Sequence, residues 1–435
     1  MRAKLARSPV DDEDRLEHAV AAKQSQIVYS QVGGFGVGQG PVEEGKHAHT
    51  DTVLTTMGFM PYRSPLLDLP GPIAAPDGHP EEGVPWHWGD PFAEQRTATR
   101  GAVVIDRSHR EILAVTGEER LSWLHLVISQ HVTGLAEGTG TEALVLDTHG
   151  RVDTHMVVAH ADGTVWLDSD RGAVATSAFP SGGKQTLREY LEAMKFWSKV
   201  DIRDVSGELA LLTVLGPDAD RVLAAVDVSL SSDPYSVVSL PGGGFARRMP
   251  WPGRNSVDLA VPRAELADWW RRLTDAGARP AGSWAFDALR VESLRPRLGL
   301  DTDERTIPHE VNWVDSAAHV AKGCYRGQET VAKVHNVGRP PRYMALLHLD
   351  GSPEITPETG DPVVLGERTV GRVGSVVQHH ELGPIALALV KRSTQPGAEL
   401  LVGAEDRVVQ AAIDPDSVPA EAPAPGREAA QRLRG

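Results

Sequence analysis

Short apolar runs broken by glycine alternate along this chain with stretches whose apolar residues recur every three or four positions. Ile112–Val115 reads as a strand, Gly117 as a turn, and Glu118–Val127 as a helix with Leu121 and Leu124 on one face. The same order returns about 100 residues later: strand Leu209–Leu215, turn Gly216, helix Asp218–Val226. This hints at a duplicated α+β unit. Strands at Glu142–Asp147, Val152–His160 and Thr164–Asp168 lie between the two copies, followed by a helix at Gln185–Trp197. In Ala264–Ala276, Leu266, Trp269, Trp270 and Leu273 fall at i, i+3, i+4 and i+7, with Pro262 before and Gly277 after, so this stretch predicts a helix. A further helix covers Ala285–Ser293.

After Pro340-Pro341 the pattern changes to short strands: Tyr343–Leu349, Pro362–Leu365, Thr369–Val377, Ile385–Val390, Glu399–Val402 and Arg407–Ala412. Strands at that spacing, separated by Gly351, Gly366, Gly383 and Gly403, predict a small β-barrel. The expected organisation is a disordered extension over 1–60, an α+β core of two lobes over 61–340, a barrel over 341–414 and a disordered tail over 415–435. Residues 61–95 read as extended, with the main body beginning near Gly101. Met57 and Met60 are alternative starts.

A length of 435 residues suits two or three domains, and 43 glycines with 31 prolines predict many turns. The net charge of −15 disfavours bulk attraction to nucleic acid or an anionic membrane. No apolar run approaches the ~18 residues of a membrane span, and the N-terminus carries no hydrophobic signal core. The expected compartment is the cytoplasm, where an unpaired thiol stays reduced.

That thiol is the one cysteine, Cys324, inside Lys322-Gly323-Cys324-Tyr325-Arg326-Gly327-Gln328-Glu329. A single cysteine makes no internal disulfide and cannot supply the four sulfurs of a thiolate cluster site. Lys322 and Arg326 could stabilise a thiolate, Gly327 permits close approach of a ligand, and Gln328 and Glu329 offer polar recognition. The alternative is a small buried side chain in a glycine-rich turn.

Other segments carry less. The glycines Gly33–Gly40 neither follow a strand nor open a helix, and Ser181–Thr186 lacks the register of a phosphate loop. His149, His155, His160, His379 and His380 are candidate metal ligands, but they form no metal motif, and none is assigned a metal. Arg290 and Glu292 make either a structural ion pair or a polar edge for an N-heterocycle, on which Trp284 and Phe286 could stack.

The octapeptide resembles the signature of the YgfZ family of folate-binding proteins, Lys-Gly-Cys-aromatic-x-Gly-Gln-Glu, at every fixed position. Leu289–Glu292, Gly299, Asp301, Thr306–Pro308 and Glu310 also fit, and the likeness spans Pro85 to Asp414. The resemblance implies the three-lobed α+β fold of the aminomethyltransferase superfamily, with two lobes around a tetrahydrofolate pocket and a C-terminal barrel. It implies support of iron–sulfur cluster assembly or repair in client enzymes, some of which modify tRNA, with Glu292 in the pocket wall and Cys324 near it. Arg290, Trp284 and Phe286 complete the expected folate set, and Cys324 is the expected reactive thiol.

Aminomethyltransferases carry an Asp-Asp pair that, aligned without gaps on Gly150, falls on Thr154 and His155, with Asp153 one residue early. A one-residue offset on a strand turns a side chain to the other face. The departure leaves two other readings: a folate-dependent one-carbon transferase using Asp153 or Asp147 as base, and a folate-sensing adaptor without chemistry.

Overall fold

The computed structural model describes residues 62–177, 183–253, 255–336, 338–350 and 355–419. The Gly33–Gly40 segment and the chain beyond Pro419 lie outside them. A five-stranded antiparallel sheet runs in the order Asp201–Asp204, Glu111–Thr116, Thr164–Ser169, Val152–Ala161, Thr139–Leu146. A six-stranded sheet runs Val237–Ser239, Phe245–Met249, Ser256–Pro262, Leu209–Leu215, Val103–Asp106, Arg279–Ala281, with only the last pair parallel. Their alternating burial has a direct consequence: each sheet packs helices on one face and the other sheet on the opposite face. Leu113, Val115, Met156 and Val158 meet the helices Arg120–Val127 and Leu187–Ala193. Leu212, Val214, Leu259 and Val261 meet Ala219–Ala224 and Leu266–Asp275. Ile112, Ala114 and Ala159 of the first sheet pack on Leu209, Leu211, Phe245 and Ala260 of the second.

The expected duplication has a physical counterpart at two glycines. Gly117 (φ +109°) and Gly216 (φ +125°) both end a strand and open a helix. A Cβ would stand 2.2 Å from the Lys199 carbonyl oxygen at the first and 2.3 Å from that of Gly101 at the second. Both positions thus require glycine on dihedral and steric grounds.

The C-terminal strands close a barrel in the order Arg342–Asp350, Gly383–Lys391, Arg368–His379, Pro362–Leu365, Leu400–Val402, Val409–Ile413. Asp301 ties it to the core. Its carboxylate accepts from the Ser375 backbone N–H at 2.6 Å, the Ser375 hydroxyl and Arg290.

Three expectations need correction. The helix expected over Gln185–Trp197 is Leu187–Ala193, because Thr186 and Glu189 form a capping box that fixes its start and Lys184–Thr186 pairs as a strand with Val174–Thr176. The stretch read as extended to residue 95 turns helical at Pro91, where Asp90 caps Phe92 and Ala93 and Pro91 occupies the first turn. The tail read as disordered from 415 begins with a 3-10 turn, Pro415–Ser417, capped by Asp414. No helix among the described residues is long and apolar enough to cross a membrane.

Candidate functional site

The octapeptide is a rigid loop that presents one thiol. Lys322 is buried, and its Nζ donates to the backbone carbonyls of His125, Ile128 (2.6 Å) and Gln130 (3.2 Å), closing the C-terminal end of the Arg120–Val127 helix. Burial pulls this ammonium down to about 7. Arg326 donates to the carbonyls of Thr176 (2.5 Å) and Ser177 (3.2 Å). Gln328 reaches back to the Lys322 carbonyl at 3.0 Å and opens the helix Gln328–Asn336. Tyr325 is buried against Trp313 and Val331, which raises its hydroxyl to about 12. Cys324 and Glu329 are exposed. Two expectations are therefore corrected. Both flanking cations are bound by carbonyls on other segments instead of being poised on the thiol, and Cys324 is not a small buried side chain.

Gly327 explains where the loop sits. It has φ +79°, and a Cβ there would lie 2.6 Å from both the Asp147 carbonyl oxygen and the Gly150 Cα. Gly150, at φ +77°, meets Thr330 and Gly327 as closely from the other side. The octapeptide is thus pressed against the turn that leads into Asp153, Thr154 and His155.

Strand alternation turns Thr154 to one face and Asp153 and His155 to the other. Thr154 is fully buried and donates to the Val174 carbonyl at 2.6 Å. Asp153 accepts from both the backbone N–H and the hydroxyl of Thr176, each at 2.9 Å. Asp147 holds its own turn, accepting from the backbone N–H groups of His149 and Arg151. His155 stacks on Trp313, with centroids 4.9 Å apart and planes 8° apart, and its Nε2 lies 2.8 Å from Glu142.

Glu142 is the hub of the space between the sheets. Besides His155 it accepts from the Tyr235 hydroxyl, the Trp251 Nε1 (2.9 Å) and Arg295 (3.3 Å). Burial would raise its pKa, but the His155 hydrogen bond and the His155 and Arg295 charges bring it down to about 2. The same burial and the Glu142 charge push the Tyr235 hydroxyl upward. One carboxylate thereby joins both sheets and the segment after the Ser283–Glu292 helix.

A second buried cluster lies on the facing strands. Arg247 is fully buried and its Nη2 donates to Asp168 (2.8 Å) and Asp258 (2.7 Å). Arg110 donates to Asp168 at 2.6 Å, and Arg107 lies 4.1 Å over the Phe286 ring. Burial and the neighbouring arginines act oppositely on Asp168, and the arginines hold its carboxyl low. The Nε and Nη1 of Arg247 and the Nε1 of Trp166 are buried without a protein acceptor. Such donors require a partner, because an unpaired buried group retains its full desolvation penalty.

The four expected folate residues do not converge on one point. Phe286 faces this interior, beside Arg107 and 6.4 Å from Trp251. Trp284 packs outward on Trp86 (5.4 Å) and His87 (5.9 Å). Arg290 is consumed by Asp287, Asp301, Ser375 and the Arg295 carbonyl. Glu292 is exposed, 3.5 Å from His379 of the barrel. Periodicity and motifs do not single out Glu142, Arg247, Trp251 or Asp258, although a carboxyl side chain inside an apolar run, as in Val257–Val261, is a sequence sign of a buried polar cluster. Among the described residues no group of three or more His, Cys, Asp or Glu is placed to hold a metal ion.

Residues 82–314 match the family described as GCVT N-terminal domain. The aminomethyltransferase of Rubrobacter xylanophilus is 30% identical over 74% of this chain and 84% of its own. That of Nitrosococcus oceani is 28% identical over 52% of this chain, and the chain spans 60% of its length, as it does for the Methylococcus capsulatus relative. The crystal structure of the glycine cleavage system aminomethyltransferase T from Bartonella henselae shares the fold, with a TM-score of 0.68 over 79% of this chain and 93% of that one, at 18% identity.

Proposed function

Because the chain belongs to the GCVT N-terminal domain family of aminomethyltransferases, we propose that it binds a tetrahydrofolate between its two sheets and supports iron–sulfur cluster assembly or repair in client enzymes, including tRNA-modifying ones, in the cytoplasm. The residues between the sheets fit the ligand. The pyrimidinone half of a tetrahydropterin is flat, with a carbonyl and one ring nitrogen that accept hydrogen bonds. The orphaned donors of Arg247 and Trp166 suit those acceptors, and the Trp251 and Phe286 rings suit its faces. The folate supplies one-carbon chemistry when bound. On this reading residues 61–340 form the folate-binding unit and 341–414 the barrel that braces it.

The observation that carries the reading is the Lys322–Glu329 loop. Its polar anchors are spent on holding its shape, and Cys324 is left exposed. A fixed, accessible thiol suits chemistry with a partner outside the chain, whether by reaction or by transient ligation of iron. The test is complementation of a null strain with Cys324→Ala, followed by assays of several iron–sulfur enzymes. Activities equal to those given by the wild-type gene would refute the thiol's role.

Aminomethyl transfer to tetrahydrofolate is the second reading, favoured by the names of the curated relatives. Asp153 and Asp147 are its candidate bases, although both already accept two hydrogen bonds. One-carbon turnover by purified protein, lost in Asp153→Asn, would establish it. Folate binding without turnover would leave the first reading in place.

A further inference from the structure

A cleft of about 710 Å³ opens between the segment 76–86, the Ser283–Glu292 helix and the barrel strand Arg368–His379. It shares no lining residue with the Glu142 and Arg247 clusters. Its size suits a small ligand, which needs roughly 300–1,000 Å³. One wall is aromatic. Trp86 has Trp284 at 5.4 Å in a tilted contact and His79 at 4.4 Å in a T-shaped one. Val376 and Val377 add apolar surface from the barrel.

Three carboxylates and one arginine line the cleft. Asp77 and Glu358 are exposed at its margin and Asp287 is buried in its lining. The one lining arginine, Arg290, has its donors taken by Asp287, Asp301, Ser375 and the Arg295 carbonyl. Arg407 stands 3.3 Å from Glu358 and Arg297 3.7 Å from Asp287, while the exposed Asp77 has no ion pair among the described residues. Burial holds His79 below its ordinary value, so it adds no positive charge near neutral pH.

We propose that this cleft is a second ligand site, for a small organic cation whose ammonium carries methyl or methylene groups. The indole face of Trp86 attracts the charge and the alkyl groups at once, and Asp77 and Glu358 supply the field that draws it in. An anion meets only Arg290 in the lining, whose donors are already taken. The inference stands apart from the folate reading, because it uses different residues.

The test is calorimetric titration of the full chain with choline chloride and with dimethylbutanol, its neutral carbon isostere. Choline should bind, and the isostere at least about tenfold more weakly. The double variant Asp77→Asn, Glu358→Gln changes two exposed groups on an intact fold and should weaken choline by at least about fivefold. Trp86→Ala should weaken it by a similar factor. Tetrahydrofolate affinity in the double variant should equal that of the parent protein. No heat with choline, equal binding of the isostere, or unchanged choline affinity in both variants would overturn the proposal. A parallel loss of folate affinity in the double variant would also overturn it, since the two sites would then be one.

Discussion

Replacing Glu142 with Gln tests the interlobe hub directly. The carboxylate accepts from His155, Tyr235, Trp251 and Arg295 through its two oxygens. A carboxamide keeps the shape but turns an N–H₂ group toward donors. The wild-type carboxyl lies at about 2 when folded against an ordinary 4.5. A difference of that size corresponds to about 3 kcal/mol of stability at neutral pH. The sign follows from the depressed value. The contribution is whole above about pH 4.5, the unfolded value, and disappears as pH falls toward about 2, the folded one. Roughly 1 kcal/mol of it is gone by ~pH 4. Urea unfolding of both proteins, followed by circular dichroism between about pH 7 and pH 4, measures the gap. Glu142→Gln should be about 3 kcal/mol less stable at neutral pH, and the gap should narrow by about 1 kcal/mol on acidification. Other carboxylates titrate in the same window, but they do so in both proteins and cancel in the difference. A gap that is constant with pH, or below about 1 kcal/mol at neutral pH, would refute the account of Glu142 as an ionised hub.

Gly327→Ala combines an unfavourable positive φ with backbone contacts at 2.6 Å, so it should cost about 2–4 kcal/mol by urea unfolding. Full stability would disprove the tight seal between the octapeptide and the Asp147–Gly150 turn. Lys322→Met strips three carbonyls of their donor at a helix end and should lose about 1–3 kcal/mol; a neutral result would assign those carbonyls to water. Native protein should react with a thiol reagent at Cys324 as fast as urea-unfolded protein to within about tenfold, because the side chain is exposed and its neighbours' charges are engaged elsewhere. Strong native-state protection would contradict this. Asp301→Ala should destabilise the chain by about 3–5 kcal/mol and raise protease cleavage between core and barrel, because it leaves Arg290 short of a buried partner.

Local pattern was enough for much of the fold. The Trp269-Trp270 helix, the paired strand–glycine–helix units and all six barrel strands follow from periodicity and turn residues, because burial on one face imposes a period that the chain itself displays. Errors came where a short-range device overrode composition, as with the Thr186–Glu189 capping box and the Asp90 cap. The candidate site was legible only in part. Cys324 could be picked out because an octapeptide is local.

The amino-acid sequence by itself determined the α+β elements, the closing barrel, the turn glycines at 117 and 216, and the loop that carries the thiol. The tertiary structure alone decided what each charge does. Lys322 and Arg326 turn from the thiol to distant carbonyls, and Arg290 becomes a brace to the barrel. Glu142 gathers partners from residues up to 153 positions away. An ionised side chain buried between two sheets must take whichever partner the packing brings within about 3 Å, and sequence neighbourhood carries no record of that choice.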